Sequence, residues 1–276
     1  MKRPIAFALL ALVAAAAPRL SHAQTAAPAA QASAPGWTFV YKKGEELRFR
    51  TYIRITGRTP DDAGAVNLTV KSTSKNTTKD VLPTGVVVWE QLDEAGGAAA
   101  LNGMALPVEE EPKPVTITFN PTGLISKRLN PAADPADQSQ RILPILSSFP
   151  VPPAGVKPGD SWKTELPNPM LKNRQFTATS TFIGNEKVLG IDCLKVELTM
   201  TFPTMFGQTE KEYLQHTETY WLDASTRQLV RGSYVTKNPV MPFPVKSAVA
   251  KTLVSRIVAG QNEKEDPEGV ALLSAK

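Results

Sequence analysis

From Leu47 onward the apolar side chains of this chain recur at every second position, not at every third or fourth. Leu47, Phe49, Thr51, Ile53 and Ile55 alternate with Arg48, Arg50, Tyr52 and Arg54. Leu194, Val196, Leu198, Met200 and Phe202 alternate with polar residues in the same way. A period of two places successive side chains on opposite faces of a strand, so each stretch has one face to bury. Similar patterns run over 66–80, 86–92, 115–119, 124–129, 161–166, 175–187, 211–222, 227–237 and 244–259. Turn chemistry separates them, at 59–64, 83–85, 120–123, 184–187 and 223–226. About a dozen strands make a sheet that must curl or close to cover one face. The expected fold is mainly β: a curved antiparallel half-barrel or barrel with one or two helices, in a single domain over 37–260.

One segment departs from the period of two. Asp134 and Pro135 form an N-cap followed by proline at the first helical position. Ile142, Leu143, Ile145, Leu146 and Phe149 then make a stripe at helical spacing. A helix is expected over 134–149, packing Ile142 and Leu146 on the sheet, with Pro144 kinking or ending it. Residues 149–158 are Pro-rich and read as an extended crossover between two halves.

The N-terminus carries a different message. Lys2 and Arg3 precede an apolar run from Ile5 to Ala17 that is too short to span a bilayer. Ser21-His22-Ala23 offers small residues at a cleavage site. Residues 1–23 read as a secretory signal cut before Gln24. No cysteine stands near the cut, so the expected product is not lipidated and is periplasmic or extracellular. Residues 24–36 read as a disordered Ala/Pro-rich leader, and 261–276 as a flexible, charged tail. No later apolar run suits a transmembrane helix.

Cleavage removes Lys2, Arg3 and Arg19 and no acidic residue, so the formal charge falls from +5 to +2. No run of Lys and Arg interleaves with aromatics, so no nucleic-acid partner is expected. Cleavage also removes His22, which leaves His216 as the sole histidine; Cys193 is the sole cysteine. That excludes an intrachain disulfide and His-rich or Cys-rich zinc sites. No metal, cofactor or catalytic triad is expected, and the chain reads as a non-enzyme. His216 reads as an ordinary strand histidine and Cys193 as a buried thiol. A Cys193–His216 dyad stays open, because register cannot be read from sequence. Asp160, in Gly159-Asp-Ser-Trp162, reads as a turn former. Glu109-Glu-Glu111 reads as a solvated loop and not a calcium site.

The loops of the second half are asymmetric. In an up-and-down meander, alternate connections share one end of the sheet. At one end stand the polar connections at 184–187 and 223–226. At the other stand 166–171, 202–206 and 238–243, each joining Pro to Met and further apolar residues. Residues 102–107 have the same character. Met adapts to varied apolar partners. The candidate ligand-binding residues are therefore Met170, Leu171, Met205, Phe206, Met241 and Phe243. Two readings stand open: the loops plug one end of the core, or they form an apolar mouth for a lipid-like ligand or a partner protein.

Val156-Lys-Pro-Gly-Asp-Ser-Trp162, Gly190-Ile-Asp-Cys-Leu-Lys-Val-Glu197 and Tyr220-Trp-Leu-Asp-Ala-Ser-Thr-Arg-Gln-Leu-Val-Arg231 follow in an order that carries a resemblance. Over about 156–235 the chain resembles uncharacterised bacterial exported β-rich proteins and, more distantly, the periplasmic lipoprotein-carrier (lipoprotein-localisation) superfamily. The resemblance implies a curved antiparallel half-barrel closed by a helix, with acyl chains held in an apolar cavity. The expected function is non-enzymatic binding of an apolar ligand or of an envelope protein partner. The alternatives are a structural or interaction module without a cavity, and a hydrolase of unrecognised type.

Overall fold

The computed structural model describes residues 39–62, 64–108, 112–133, 137–241 and 245–275. The signal and leader, Glu109–Glu111, Asp134 with Pro135, and Phe243 lie outside these residues. The strands are β1 (Glu46–Arg58), β2 (Ala65–Val81), β3 (Val87–Asp93), β4 (Ala98–Leu101), β5 (Met104–Leu106), β6 (Val115–Phe119) and β7 (Ile125–Leu129). After helix α1 (Ser139–Leu146) come β8 (Ser161–Pro167), β9 (Gln175–Val188), β10 (Ile191–Phe202), β11 (Leu214–Asp223), β12 (Leu229–Lys237) and β13 (Ser247–Arg256), then helix α2 (Pro267–Ser274). All thirteen strands join one antiparallel sheet, ordered β7-β6-β3-β2-β1-β13-β12-β11-β10-β9-β8, with the β4–β5 hairpin branching from β2. The sheet is open, as β7 and β8 are its two edges. It is the curved, mainly β half-barrel expected.

β7 and β8 are consecutive in the chain yet lie at opposite edges, so the connection between them must cross the sheet's inner face. That connection carries α1 and the Pro-rich crossover. Phe149 and Val151 belong to one core with Trp89 and Phe119 from one arm and Val196, Leu198 and Tyr220 from the other. The Tyr220 hydroxyl donates to the carbonyl of Pro150. The crossover is also pinned to the turn after β6. Asn120 Oδ1 accepts from the amides of Thr122 and Leu124, each at 3.0 Å. Val151 N donates to Thr122 O at 2.9 Å. Gly123 has φ +88°, and a Cβ there would stand 2.3 Å from Phe149 O, so this position requires glycine.

α1 is shorter than the stripe implied. Asp137 Oδ1 accepts from the amide and hydroxyl of Ser139, at 2.9 and 2.7 Å, where the helix starts. It ends two residues after Pro144. Ser148 Oγ donates to Pro144 O at 2.6 Å and accepts from Ile125 N at 2.9 Å, which ties the helix end to β7. Ile142 is buried in the core, with Ile145 and Leu146 packed against it.

Two local expectations are corrected. Residues 102–107 contribute to a hairpin and are not only a loop: Asn102 and Gly103 adopt φ of 50° and 82°, and Leu101 pairs with Met104. Asn-Gly is the residue pair a tight hairpin turn needs. The C-terminal tail is docked and not frayed. Arg50 donates to the carbonyls of Asn262 and Glu263 at 2.9 Å each, and Asp266 N donates to the Tyr52 hydroxyl at 3.0 Å. Asp266 caps α2, accepting from Glu268 N at 3.1 Å, and Arg231 pairs with Asp266 and Glu268. Arg50 on the arginine face of β1 is thereby met by backbone carbonyls of the tail, which a count of apolar residues does not register.

Candidate functional site

The inward positions of β1 can be followed across the register. Phe49 lies opposite Ser74 on β2 and Arg256 on β13; Ile53 lies opposite Val70 and Thr252. On the other arm, His216 lies opposite Thr236, and Glu218 opposite Tyr234 and Leu198. Between this inner face and α1 lies a partly open cavity of about 210 Å³. Its apolar wall includes Phe49, Trp89, Phe119, Ile142, Leu146 and Val254.

Polar residues enter the lining at two places. Asn76, Gln91 and Arg128 come from the β2–β3 and β7 side. Burial pulls the Arg128 guanidinium down to about 10, while the charge of Asp93 acts the other way. The second group is His216, Tyr234, Thr236 and Thr252, from β11, β12 and β13. His216 Nδ1 is 2.8 Å from Thr236 Oγ1, and its ring stacks on Tyr234 with centroids 6.0 Å apart. Tyr234 lies back over Gly232, where a Cβ would meet its hydroxyl at 2.2 Å.

Glu218 sits beside this second group. It is 1% exposed, and among the described residues neither carboxyl oxygen has a hydrogen-bond partner; His216 Nε2 has none there either. His216 Nε2 and Glu218 Oε2 stand 3.6 Å apart, too far for a direct hydrogen bond. Burial alone drives the imidazole down to about 4 and the carboxyl well above its ordinary range. The imidazole is therefore neutral near pH 6, and burial favours the neutral form of the Glu218 carboxyl. Unpaired buried polar groups of this kind are uncommon in folded proteins and call for a physical reason.

The other candidates disperse. Cys193 is opposite Asp223, while His216 is opposite Met200, so the register separates Cys193 from His216 and the dyad does not form. Cys193 is fully buried, its thiol pushed up to about 11 by desolvation. Asp160 Oδ2 accepts from Lys157 N at 2.7 Å, the turn role expected. Among the described residues no group of three His, Cys, Asp or Glu side chains could hold a metal ion, and no helix is long and apolar enough to cross a membrane.

Two of the Pro–Met loops meet, and hydrogen bonds join the third to the strand entry beyond them. Asn168 Oδ1 accepts from the amides of Met170 and Leu171, and its Nδ2 donates to Pro203 O at 2.8 Å. Asn238 Nδ2 donates to the carbonyls of Lys211 and Tyr213. Their side chains part company. Leu171 is buried and Met170 packs on the main core. Met241 packs on a second cluster with Ile53, Leu68 and Ala248. Met205 and Phe206 are 61% and 75% exposed, with the Arg174 guanidinium 5.9 Å from the Phe206 ring. None of these five lines the cavity; Pro239 and Val240 of the third loop do. The lining residues His216, Tyr234, Gln91 and Arg128, with Glu218 beside them, were not among the sequence candidates for ligand binding. Their one signal was polarity at inward positions of an alternating strand.

The sequence matches no protein-family model and no curated protein. Among solved structures it is similar to lipovitellin, with 11% identity and a TM-score of 0.48 over 80% of this chain and 26% of that one. The chain thus spans about a quarter of that structure's length. It is also similar to a Bacteroides fragilis protein with a YmcC-like fold (15% identity, TM-score 0.32, 80% of this chain and 99% of that one). A third is a LolA superfamily protein from Nitrosomonas europaea (11% identity, TM-score 0.16, 80% and 89%).

Proposed function

We propose that this chain is an exported, non-enzymatic binding protein that takes an apolar, lipid-like ligand between α1 and the inner face of its sheet. The observation that carries the reading is the cavity itself. It is walled by aromatic and aliphatic side chains where a solid core would leave no space, and apolar walls with a few placed polar groups are the ordinary make-up of a ligand site. Export rests on the charged start, short apolar run and Ser21-His22-Ala23 of residues 1–23. The Pro–Met end supplies the rim, since Pro239 and Val240 reach the lining from it.

Native mass spectrometry of the protein purified from its own host tests this, with the expected result a co-purified lipid. A filled cavity supplies the control. Ala250 lines the cavity, so Ala250→Phe is expected to remove uptake of a fluorescent fatty acid while near-ultraviolet circular dichroism still reports a packed core. Wild-type protein that carries no lipid and takes up no probe would overturn the proposal.

A further inference from the structure

At the cavity wall and beside it, the fold leaves polar atoms without partners among the described residues. His216 lines the cavity, and its Nε2 is buried without a partner. Glu218, beside it, has two buried oxygens without partners. Tyr234 and Thr252 line the cavity from the adjoining strands. If the fold needed only a core here, an apolar residue at 218 would serve it better, because an unsatisfied buried polar group is destabilising.

The spacing suits one kind of guest. Nε2 and Oε2 are 3.6 Å apart, so a single oxygen at about 2.8 Å from each would bridge them with an angle of roughly 80°. The donor and acceptor pattern narrows the choice. A neutral carboxyl group offers one donor and one acceptor. Nε2 accepts if Nδ1 donates to Thr236, and donates if Thr236 donates to Nδ1. A hydroxyl group both donates and accepts, so it satisfies either arrangement. A carboxylate only accepts, an ammonium only donates, and each would bring an ionic charge into a buried pocket.

We propose that His216 Nε2, at the cavity wall, and the Glu218 carboxyl beside it form a hydroxyl-recognition site, so that this protein prefers a neutral, hydroxyl-headed amphiphile to a fatty-acid anion. The proposal rests on the reading of the cavity as a lipid site. Arg128 is the feature that would favour the opposite preference. It lines the same cavity, although its charge is met by Asp93.

The test is displacement of N-phenyl-1-naphthylamine from the signal-cleaved protein by 1-decanol and by decanoate at pH 7.5. Decanol is expected to displace the probe at about tenfold lower concentration, the equivalent of one discriminating hydrogen bond. Glu218→Leu is expected to reduce that preference to within about twofold with the melting temperature unchanged or raised. Glu218→Gln keeps a donor and an acceptor and is expected to retain the preference. Decanoate displacing the probe as well as decanol from the wild type would overturn the proposal and leave the lipid cavity standing. So would a preference that survives Glu218→Leu, the result expected if these atoms hold only water. Failure of the probe to bind at all would remove the cavity reading and this proposal together.

Discussion

Glu218 is the residue whose energetics run against the rest of the fold. Its side chain is fully buried on β11, beside His216 and Tyr220 of the same strand and Tyr234 of β12, and among the described residues no cation offsets its burial. Because its folded pKa is raised, its contribution to stability is present below the ordinary carboxyl value and is lost as pH rises. His216 has the opposite sign. Its pKa is depressed to about 4, so its contribution is present above the ordinary imidazole value and is lost as pH falls towards 4. The two slopes oppose one another just above the ordinary carboxyl value. Glu218→Leu is expected to stabilise the fold by about 1–3 kcal/mol near neutral pH, because it removes an unsatisfied buried group. The gain in melting temperature over wild type, measured from pH 4.5 to pH 8, should grow as pH rises above the ordinary carboxyl value. A constant gain across that range would mean that Glu218 is ionised or hydrated in the native state. Sequence could place this residue but not explain it. The alternation Leu214, His216, Glu218, Tyr220, Leu222 puts Glu218 on the inward face, but alternation alone does not show which strands press against that face. From sequence His216 reads as an ordinary strand histidine, and the register separates it from Cys193.

At the scale of elements, legibility followed the strength of the local signal. The long strands are where the period of two puts them, and the Asn120 turn stands where expected, whereas α1 covers only Ser139–Leu146 of the expected 134–149. α1 stops early because Pro144 and the Ser148 side chain end it. The β4–β5 hairpin was obscured by its short strands of Ala and Leu, although Asn102-Gly103 marked its turn. α2 was missed for a different reason. Residues 262–268 are polar, and their docking depends on partners distant in sequence: Arg50, Tyr52 and Arg231. Tyr52 is fully buried, and Gly269 of α2 packs so closely on its ring that a Cβ there would stand 2.2 Å away. Deleting residues 261–276 re-exposes Tyr52 and leaves Arg50 without its two carbonyl acceptors. The expected cost is about 3–5 kcal/mol, a fall of roughly 10 °C in melting temperature for a domain of this size. A truncated protein that melts within a degree or two of wild type would show that the segment contributes nothing to the fold.

Across the whole molecule, the route of the chain determines where a guest can lie. One open sheet supplies both walls, and the β7–β8 connection crosses its inner face, so α1 and the crossover cover part of the concavity. The cavity between them is lined from the Pro–Met end by Pro239 and Val240. At the same end Leu171 is buried, while Met205 and Phe206 project into solvent beside Arg174. The loops therefore divide the two roles that their composition left open: Leu171 belongs to the core, and Met205 with Phe206 is free to meet a ligand or a partner. Stability separates the roles first. Leu171→Ser is expected to cost about 2–5 kcal/mol, as truncation of a buried aliphatic side chain does. The Met205→Ser, Phe206→Ser double variant is expected to cost under about 0.5 kcal/mol per site, because neither side chain is packed. Uptake separates them next. If the exposed pair guides an amphiphile into the cavity, the double variant should slow binding of a fluorescent fatty acid several-fold in stopped-flow measurements, with the melting temperature held. Unchanged uptake kinetics would detach the pair from ligand entry and leave it as a surface for a protein partner.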